Sequence, residues 1–135
     1  FQQVRKVATG IPQFDFHTRG GIEYGTGLLG LGRSGAGKTT FLRGLGGAAA
    51  IRGLNVLHLA GGDSTQREID DGYDAWWTGL ELNKIREGVR PDDETLKNIE
   101  RLRRAYMAGR GEIVTHSFKQ FGAASIQDCR NILIL

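Results

Sequence analysis

The hydrophobic residues of this chain come in short runs divided by glycine-rich or charged stretches. Residues 27–31 and residues 55–60 are apolar runs of the length of a buried strand, and residues 112–115 predict a third, short strand. Residues 38–52 predict a helix that Gly53 ends. The apolar face of that helix is predicted to consist of Phe41, Leu42, Leu45, Ala48 and Ala49.

Further helices are predicted in the second half of the chain. Ser64 or Thr65 is a candidate cap for a helix that runs to about Trp77. Residues 92–108 predict an amphipathic helix, because acids fill its first turn and one stripe holds Leu96, Ile99, Leu102 and Tyr106. Another helix is predicted from Ala124 onward, with Ser125 as its cap, and residues 1–27 predict a leading loop. This order predicts an α/β domain with a mainly parallel sheet flanked by helices.

Composition narrows the class of protein. Hydrophobic residues at 39% and charged residues at 24% are typical of a globular domain, and 21 glycines among 135 residues indicate tight turns or close backbone approach. The net charge of +3 permits a nucleic-acid partner without requiring one. A single cysteine, Cys129, excludes an internal disulfide and favours a cytoplasmic setting, and no apolar run is long enough for a membrane span.

Both ends of the chain look cut, because it begins at Phe1 without an initiator methionine and stops inside the apolar run 132–135. We therefore expect residues 1–135 to be one truncated domain.

One stretch carries specific chemistry. Residues 32–39, GRSGAGKT, match the pattern G-x-x-x-x-G-K-S/T at every fixed position, after a predicted strand and before a predicted helix. Backbone N–H groups of such a loop cradle phosphates, the helix start adds a positive dipole end, the lysine adds a cation, and the hydroxyl after it is a Mg²⁺ ligand. The sequence therefore predicts a site for ATP and Mg²⁺ with Thr39 as the metal ligand, formed by Gly32, Arg33, Ser34, Gly35, Ala36, Gly37, Lys38, Thr39 and Thr40.

A dinucleotide-binding motif overlaps this pattern at residues 30–35, GLGRSG. That alternative needs an acid about 20 residues beyond the glycines. Residues 52–54 at that distance contain none, and the alternative leaves Lys38 and Thr39 without a role. The phosphate-binding loop is the favoured interpretation.

Other polar residues have two interpretations each. Asp63 follows the second predicted strand, where it is a candidate to orient or deprotonate an attacking water or, equally, to cap the next helix. The acids Asp70, Asp71 and Asp74 form a conceivable metal site, although a solvated helix face is favoured.

Trp76 and Trp77 are expected to point in different directions. The histidines share no metal-ligand spacing, and the arginines Arg101, Arg103, Arg104 and Arg110 favour a solvated face over a nucleic-acid contact.

The residues around the loop resemble those of RecA-like ATPases. The resemblance rests on residues 9–15, TGIPQFD, on Gly20, Gly21 and Gly25, and on the second strand at residues 53–59, and it covers most of the chain. DnaB-type replicative helicases, including phage ones, look most similar through the short strand at residues 112–114 and the Ser-led helix at Ser125.

The resemblance implies the ATP-binding core of a DNA helicase that couples hydrolysis to movement on single-stranded DNA as a homo-hexamer. It also implies a catalytic Glu directly after the second strand. This chain has Gly61, Gly62 and Asp63 there, so Asp63 is an offset and shorter substitute. The remaining catalytic acid, the DNA-binding loops and the arginine finger of the family are expected beyond Leu135. Two alternatives stay open: a KaiC- or RadA-like ATPase in regulation or recombination, and a nucleotide-binding module without turnover.

Overall fold

The computed structural model describes residues 5–61, 64–107 and 111–118. Within these ranges short strands and helices are mixed, which makes the described chain a small α/β domain, as predicted. The elements in chain order are β1 (Lys6–Val7), α1 (Pro12–His17), β2 (Ile22–Glu23), α2 (Lys38–Ile51), β3 (Val56–Ala60), α3 (Gln66–Thr78), α4 (Leu82–Arg86), α5 (Asp93–Met107) and β4 (Ile113–Ser117).

Strands β3 and β4 pair in parallel over their full length, from Val56 opposite Ile113 to Ala60 opposite Ser117. Both strands were predicted from the sequence, and their carboxyl ends lie together at one edge. The described residues otherwise pair only in the antiparallel β1–β2 ladder. The mainly parallel sheet of the prediction is thus, in the described part of the chain, one parallel pair and one separate antiparallel pair.

The region predicted as a leading loop contains β1, α1 and β2, so that prediction is wrong for residues 5–27. Asp15 organises it: its carboxylate accepts hydrogen bonds from the Thr9 N–H at 2.8 Å, the Thr9 hydroxyl at 2.7 Å and the Gly10 N–H at 3.1 Å. The bonds from Thr9 hold the pKa of Asp15 below its ordinary value. Gly10, at a φ of +81°, lets this turn approach Ala48 of α2.

The strand predicted at residues 27–31 is absent from the structure. Its leucines are exposed: Leu28 by 46%, Leu29 by 81% and Leu31 by 86%. A strand needs a neighbour to pair with its N–H and C=O groups, and the described residues offer this run no ladder. An apolar run in the sequence does not show whether a neighbouring strand is present to pair with it.

Helix α2 confirms the predicted helix to within one residue, and Gly53 follows its end at a φ of +83°. Its buried face confirms the prediction at Ala48, whereas Phe41 and Leu42 are exposed and the other buried positions are Gly46, Gly47 and Ala50. Two aromatic residues of α3 lie over these glycines. A Cβ atom at Gly46 would lie 2.6 Å from the Tyr73 hydroxyl oxygen, and one at Gly47 would meet the Trp76 ring.

Helix α3 begins after Thr65, one of the two caps that the sequence offered, and the structure adds a capping box there. The Thr65 hydroxyl accepts from the Glu68 N–H at 3.3 Å, and the Glu68 carboxylate accepts from the Thr65 N–H at 2.8 Å. The helix buries Ile69 completely. The rings of Trp76 and Trp77 were expected to point apart, yet they touch edge to face with centroids 5.0 Å apart, because an indole is long enough to reach its neighbour's edge.

Helix α5 confirms the predicted amphipathic helix. The Asp92 carboxylate accepts from the Thr95 N–H at 2.7 Å and caps the first turn, and this bond lowers the pKa of Asp92. Leu96 and Ile99 are half-buried, while Lys97 and Glu100 are exposed. The helix predicted from Ala124 lies outside the described residues. Among the helices that the structure describes, none has the length and apolar character of a membrane span.

Candidate functional site

The predicted phosphate-binding loop is a loop in the structure, and two of its glycines have backbone angles that other residues rarely adopt. Gly35 has a φ of +76° and Gly37 a φ of +83°. Between them, the Ala36 N–H donates to the Arg33 carbonyl at 3.2 Å and closes a turn. The chain therefore reverses direction within residues 33–37 before α2 begins.

The start of α2 faces this loop with its backbone N–H groups. Gly37 is the N-cap, and the Phe41 N–H is bonded to the Gly37 carbonyl at 2.9 Å. The N–H groups of Lys38, Thr39 and Thr40 belong to the first turn, where an α-helix has no acceptors of its own. Among the described residues no side chain caps this end, and its first turn carries no acid. The positive end of the helix dipole is thus presented to an anion.

Lys38 bends back over the loop. Its Nζ atom donates to the carbonyl oxygens of Gly32 and Arg33, each at 2.8 Å. An ammonium group has three N–H donors, and the side chain is exposed, so it is placed to exchange a carbonyl for a phosphate oxygen. Residues 32–38 therefore bring together a cation, a glycine turn and the start of a helix.

All nine predicted site residues, 32–40, are exposed to solvent. A cleft of about 490 Å³ opens beside them, and Gly32, Ala36, Gly37 and Lys38 of the loop contribute to its lining. The rest of the lining is mainly apolar and consists of Leu28, Leu29, Gly30, Leu31, Phe41 and Leu42. The hydroxyls of Thr39 and Thr40 are accessible at the first turn of α2. The donor set of cation, backbone N–H groups and hydroxyls fits a triphosphate and its Mg²⁺ ion.

The structure gives most other candidate residues ordinary structural partners. Asp70 accepts from the Gln66 amide at 3.2 Å and from the Thr115 hydroxyl at 2.5 Å, and Asp71 forms an ion pair with Arg67 at 3.7 Å. Within the described ranges no group of three or more His, Cys, Asp or Glu side chains could hold a metal ion. Asp63 and Arg110 lie outside the residues that the structure describes, as does the side chain of Arg103.

His58 has a structural role in a partly buried cluster. Its Nδ1 atom lies 2.9 Å from the Tyr73 hydroxyl, and the two rings meet edge to face. Burial, followed by the charge of Arg43, lowers the pKa of His58, and burial raises the pKa of Tyr73. Arg43 donates to the Glu68 carbonyl at 3.2 Å, so this cluster joins α2, β3 and α3.

Sequence reasoning missed a polar network at the carboxyl edge of β3 and β4. It joins Gln66 and Asp70 of α3 to Thr115 and Ser117 of β4, and includes the backbone carbonyl of Ser64 just before the helix. The bonds made by Thr115 and Ser117 join residues 45 to 53 positions apart, so no local pattern of spacing could have predicted them. The only available indication was the parallel pairing of the two strands, because polar side chains after such strands meet at one edge.

Comparison of the chain with models of protein families, with curated proteins and with solved structures finds no match. The residues and the geometry of the loop at the start of α2 are therefore the basis for assigning a function.

Proposed function

We propose that residues 32–40 bind the triphosphate of ATP, in the manner of the phosphate loop of a RecA-like P-loop domain. The observation that carries the proposal is the junction of loop and helix. There, Gly35 and Gly37 adopt left-handed backbone angles, and the start of α2 has no side-chain cap. The Lys38 ammonium group donates to a carbonyl of the loop. A polyanion in this position would meet backbone N–H groups, a helix dipole and an ammonium group together.

The same site has a place for Mg²⁺. Thr39 carries a hydroxyl on the first turn of α2, one residue beyond Lys38, and Mg²⁺ prefers oxygen ligands and shares them with substrate phosphates. A bound Mg²⁺ neutralises charge on the phosphate oxygens. In this proposal Thr39 holds the metal, while Thr40 and Ser34 contribute further donors around the phosphates.

For the whole protein, we propose the ATP-binding core of a DnaB-like DNA helicase, in which hydrolysis drives movement on single-stranded DNA and the active form is a homo-hexamer. The support is the resemblance of residues 9–15 and of the loop, together with the parallel β3–β4 pair that follows. If the protein is instead a KaiC- or RadA-like ATPase, it should bind DNA without unwinding it. A module without turnover predicts ATP binding with no hydrolysis at all, which the glycines after β3 favour.

Calorimetric titration of ATP and Mg²⁺ tests the binding site. We predict that Lys38→Ala abolishes measurable binding, because it removes the ammonium group that lies against the loop at the start of α2. Lys97→Ala is the matched control, since Lys97 is an exposed lysine on α5 and its loss should leave the affinity unchanged. Equal affinities in wild type and Lys38→Ala would reject residues 32–40 as the site.

Steady-state ATP hydrolysis by the full-length protein tests the catalytic assignment of Asp63. Slow turnover is expected, because Asp is one methylene shorter than Glu and stands one position later than the acid implied by the resemblance. We predict that Asp63→Asn lowers the turnover rate while ATP affinity stays nearly unchanged, and that Gly62→Glu raises it if the loop keeps its shape. An Asp63→Asn protein with wild-type turnover would reject Asp63 as the catalytic acid.

A further inference from the structure

The cleft beside the phosphate loop continues along the first turns of α2. Lys38, Phe41 and Leu42 stand at positions i, i+3 and i+4 of this helix, so they share one face, and all three line the cleft. At about 1.5 Å per residue, Leu42 lies roughly 6 Å further along the helix axis than Lys38. The cleft therefore extends from the cation of the proposed phosphate site past an aromatic ring and an aliphatic side chain.

The remainder of the lining comes from the apolar run ahead of the loop. Leu28, Leu29 and Leu31 contribute to it and are exposed to solvent, while Phe41 is 36% exposed and Leu42 51%. Covering apolar surface of this kind with a ligand is favourable, and a contiguous apolar patch marks a binding site more often than isolated apolar residues do. The volume of about 490 Å³ is within the range of sites for small molecules.

One molecule can contact both the polar and the apolar part of this lining. In the proposed function residues 32–40 hold a triphosphate, and Gly32, Gly37 and Lys38 of that loop are part of the cleft. A nucleoside triphosphate joins its polyanion to a flat aromatic base, whose faces stack on aromatic side chains. Because the cleft is continuous with the loop, the base of the same nucleotide is the occupant that fits its apolar part.

We propose that the nucleobase of the bound triphosphate lies in this cleft and stacks on Phe41. The inference rests on the proposed function, in which residues 32–40 bind the phosphates. Among the lining residues only Lys38 has a polar side chain, and it is bonded to the loop carbonyls of Gly32 and Arg33. The side chains of the cleft therefore recognise the area of the ring and not the donors and acceptors at its edge. ATP and GTP should accordingly bind with affinities within about threefold of each other.

Calorimetric titrations of the full-length protein with ATP, GTP and inorganic tripolyphosphate, each with Mg²⁺, test this position of the base. Phe41→Ala removes the ring and is expected to lower the affinity for ATP about tenfold, while the affinity for tripolyphosphate, which has no base, stays within about twofold. Phe41→Tyr keeps the ring and should bind ATP within about twofold of the wild type. Phe16→Ala is the matched control, because Phe16 is an exposed phenylalanine on α1 outside the cleft lining, and it should change neither affinity.

The outcomes separate this inference from the one on which it rests. If ATP binding depends on Lys38 but Phe41→Ala keeps the wild-type affinity, the base site is overturned and the proposed function stands. A Phe41→Ala protein that loses the same factor for ATP and tripolyphosphate shows a disturbed loop and also overturns the base site, as does a Phe41→Tyr protein as weak as Phe41→Ala. An affinity for ATP more than about tenfold above that for GTP overturns recognition by apolar contact. A wild type that binds neither ATP nor tripolyphosphate overturns the proposed function, and the base site with it.

Discussion

At the scale of single residues, the proposed site depends on which atoms the loop leaves for a ligand. Gly35 and Gly37 adopt positive φ angles, Lys38 is bonded to two loop carbonyls, and Thr39 follows at the first turn of α2. In the proposed complex the lysine and the backbone contact the phosphates, while the threonine contacts the metal. These two kinds of contact can be separated by experiment.

Replacement of Thr39 by alanine is predicted to affect the metal-dependent part of ATP binding. With Mg²⁺ present the affinity should fall about tenfold, because one ligand to a charged centre is lost, and without Mg²⁺ it should change by less than about twofold. Calorimetry at both conditions measures this. Thr40→Ala is the neighbouring control and should leave the magnesium dependence intact. A drop by the same factor in both conditions would show that Thr39 is not the ligand.

The nine residues of the loop could be predicted from the sequence because their chemistry is local. Glycine angles, a lysine and a hydroxyl at fixed spacing all lie within one turn and one helix start. Gln66 and Ser117 could not be predicted in the same way, since their partners are 49 to 53 positions away along the chain. Distant polar contacts of this kind depend on which strands pair, and this information is not contained in a short window of sequence.

At the scale of secondary-structure elements, the close packing of α2 and α3 depends on glycines. A Cβ atom added at Gly46 would lie 2.6 Å from the Tyr73 hydroxyl oxygen and 3.3 Å from Val56, whereas one at Gly44 would meet only Trp76, at 3.8 Å. Both glycines lie inside the same helix, so both substitutions gain the same helix propensity. The difference between their free energies of unfolding therefore measures the cost of crowding the contact between α2 and α3.

We predict opposite effects for alanine at these two positions. Gly46→Ala should lower the free energy of unfolding by about 1–3 kcal/mol, because Tyr73 is nearly buried and has little room to move. Gly44→Ala should raise it by about 0.5–1 kcal/mol, the usual gain of alanine over glycine inside a helix. Urea unfolding of the two variants and the wild type is the measurement. Equal effects of the two substitutions would contradict a tight α2–α3 contact.

Element prediction from the sequence succeeded where one signal sufficed. Thr65, one of two candidate caps, marks the start of α3, Gly53 marks the end of α2, and an apolar stripe behind an acidic first turn identifies α5. It was wrong for residues 27–31, because an apolar run becomes a strand only beside a partner, and wrong for part of the buried face of α2. The aromatic side chains of α3 pack closely against α2 only where its residues are smallest. A hydrophobicity scale instead ranks Phe41 and Leu42 as the residues to be buried, and these are exposed.

At the scale of the whole molecule, the shifted pKa values predict how stability depends on pH. The pKa of His58 is lowered from 6.5 by burial, so as the pH falls below about 6.5 the unfolded chain takes up a proton that the folded protein resists. Stability is therefore complete above this value and declines below it, until folded His58 also titrates. Asp15 and Asp92 have pKa values lowered from 3.8, so their contribution is present above that value and is lost at still lower pH.

The variant His58→Gln should remove the loss of stability that begins below about pH 6.5. Glutamine is uncharged and can still pair with the Tyr73 hydroxyl, which lies 2.9 Å from His58 Nδ1. Between about pH 7 and pH 5 the free energy of unfolding should fall in the wild type and stay level in the variant. Denaturant titrations across this range measure both slopes. Parallel slopes would assign the acid sensitivity to another group.

The contact between Trp76 and Trp77 also gives the molecule an optical property. They are the only tryptophans in the chain, and their rings stand nearly perpendicular, at 82°, with centroids 5.0 Å apart. Two such chromophores couple their electronic transitions, which produces a pair of circular dichroism bands of opposite sign that neither indole has alone. Because the Trp76 ring lies against Gly47 of α2, the helix that begins at Lys38, we expect any movement of that helix on ligand binding to change these bands without an added label.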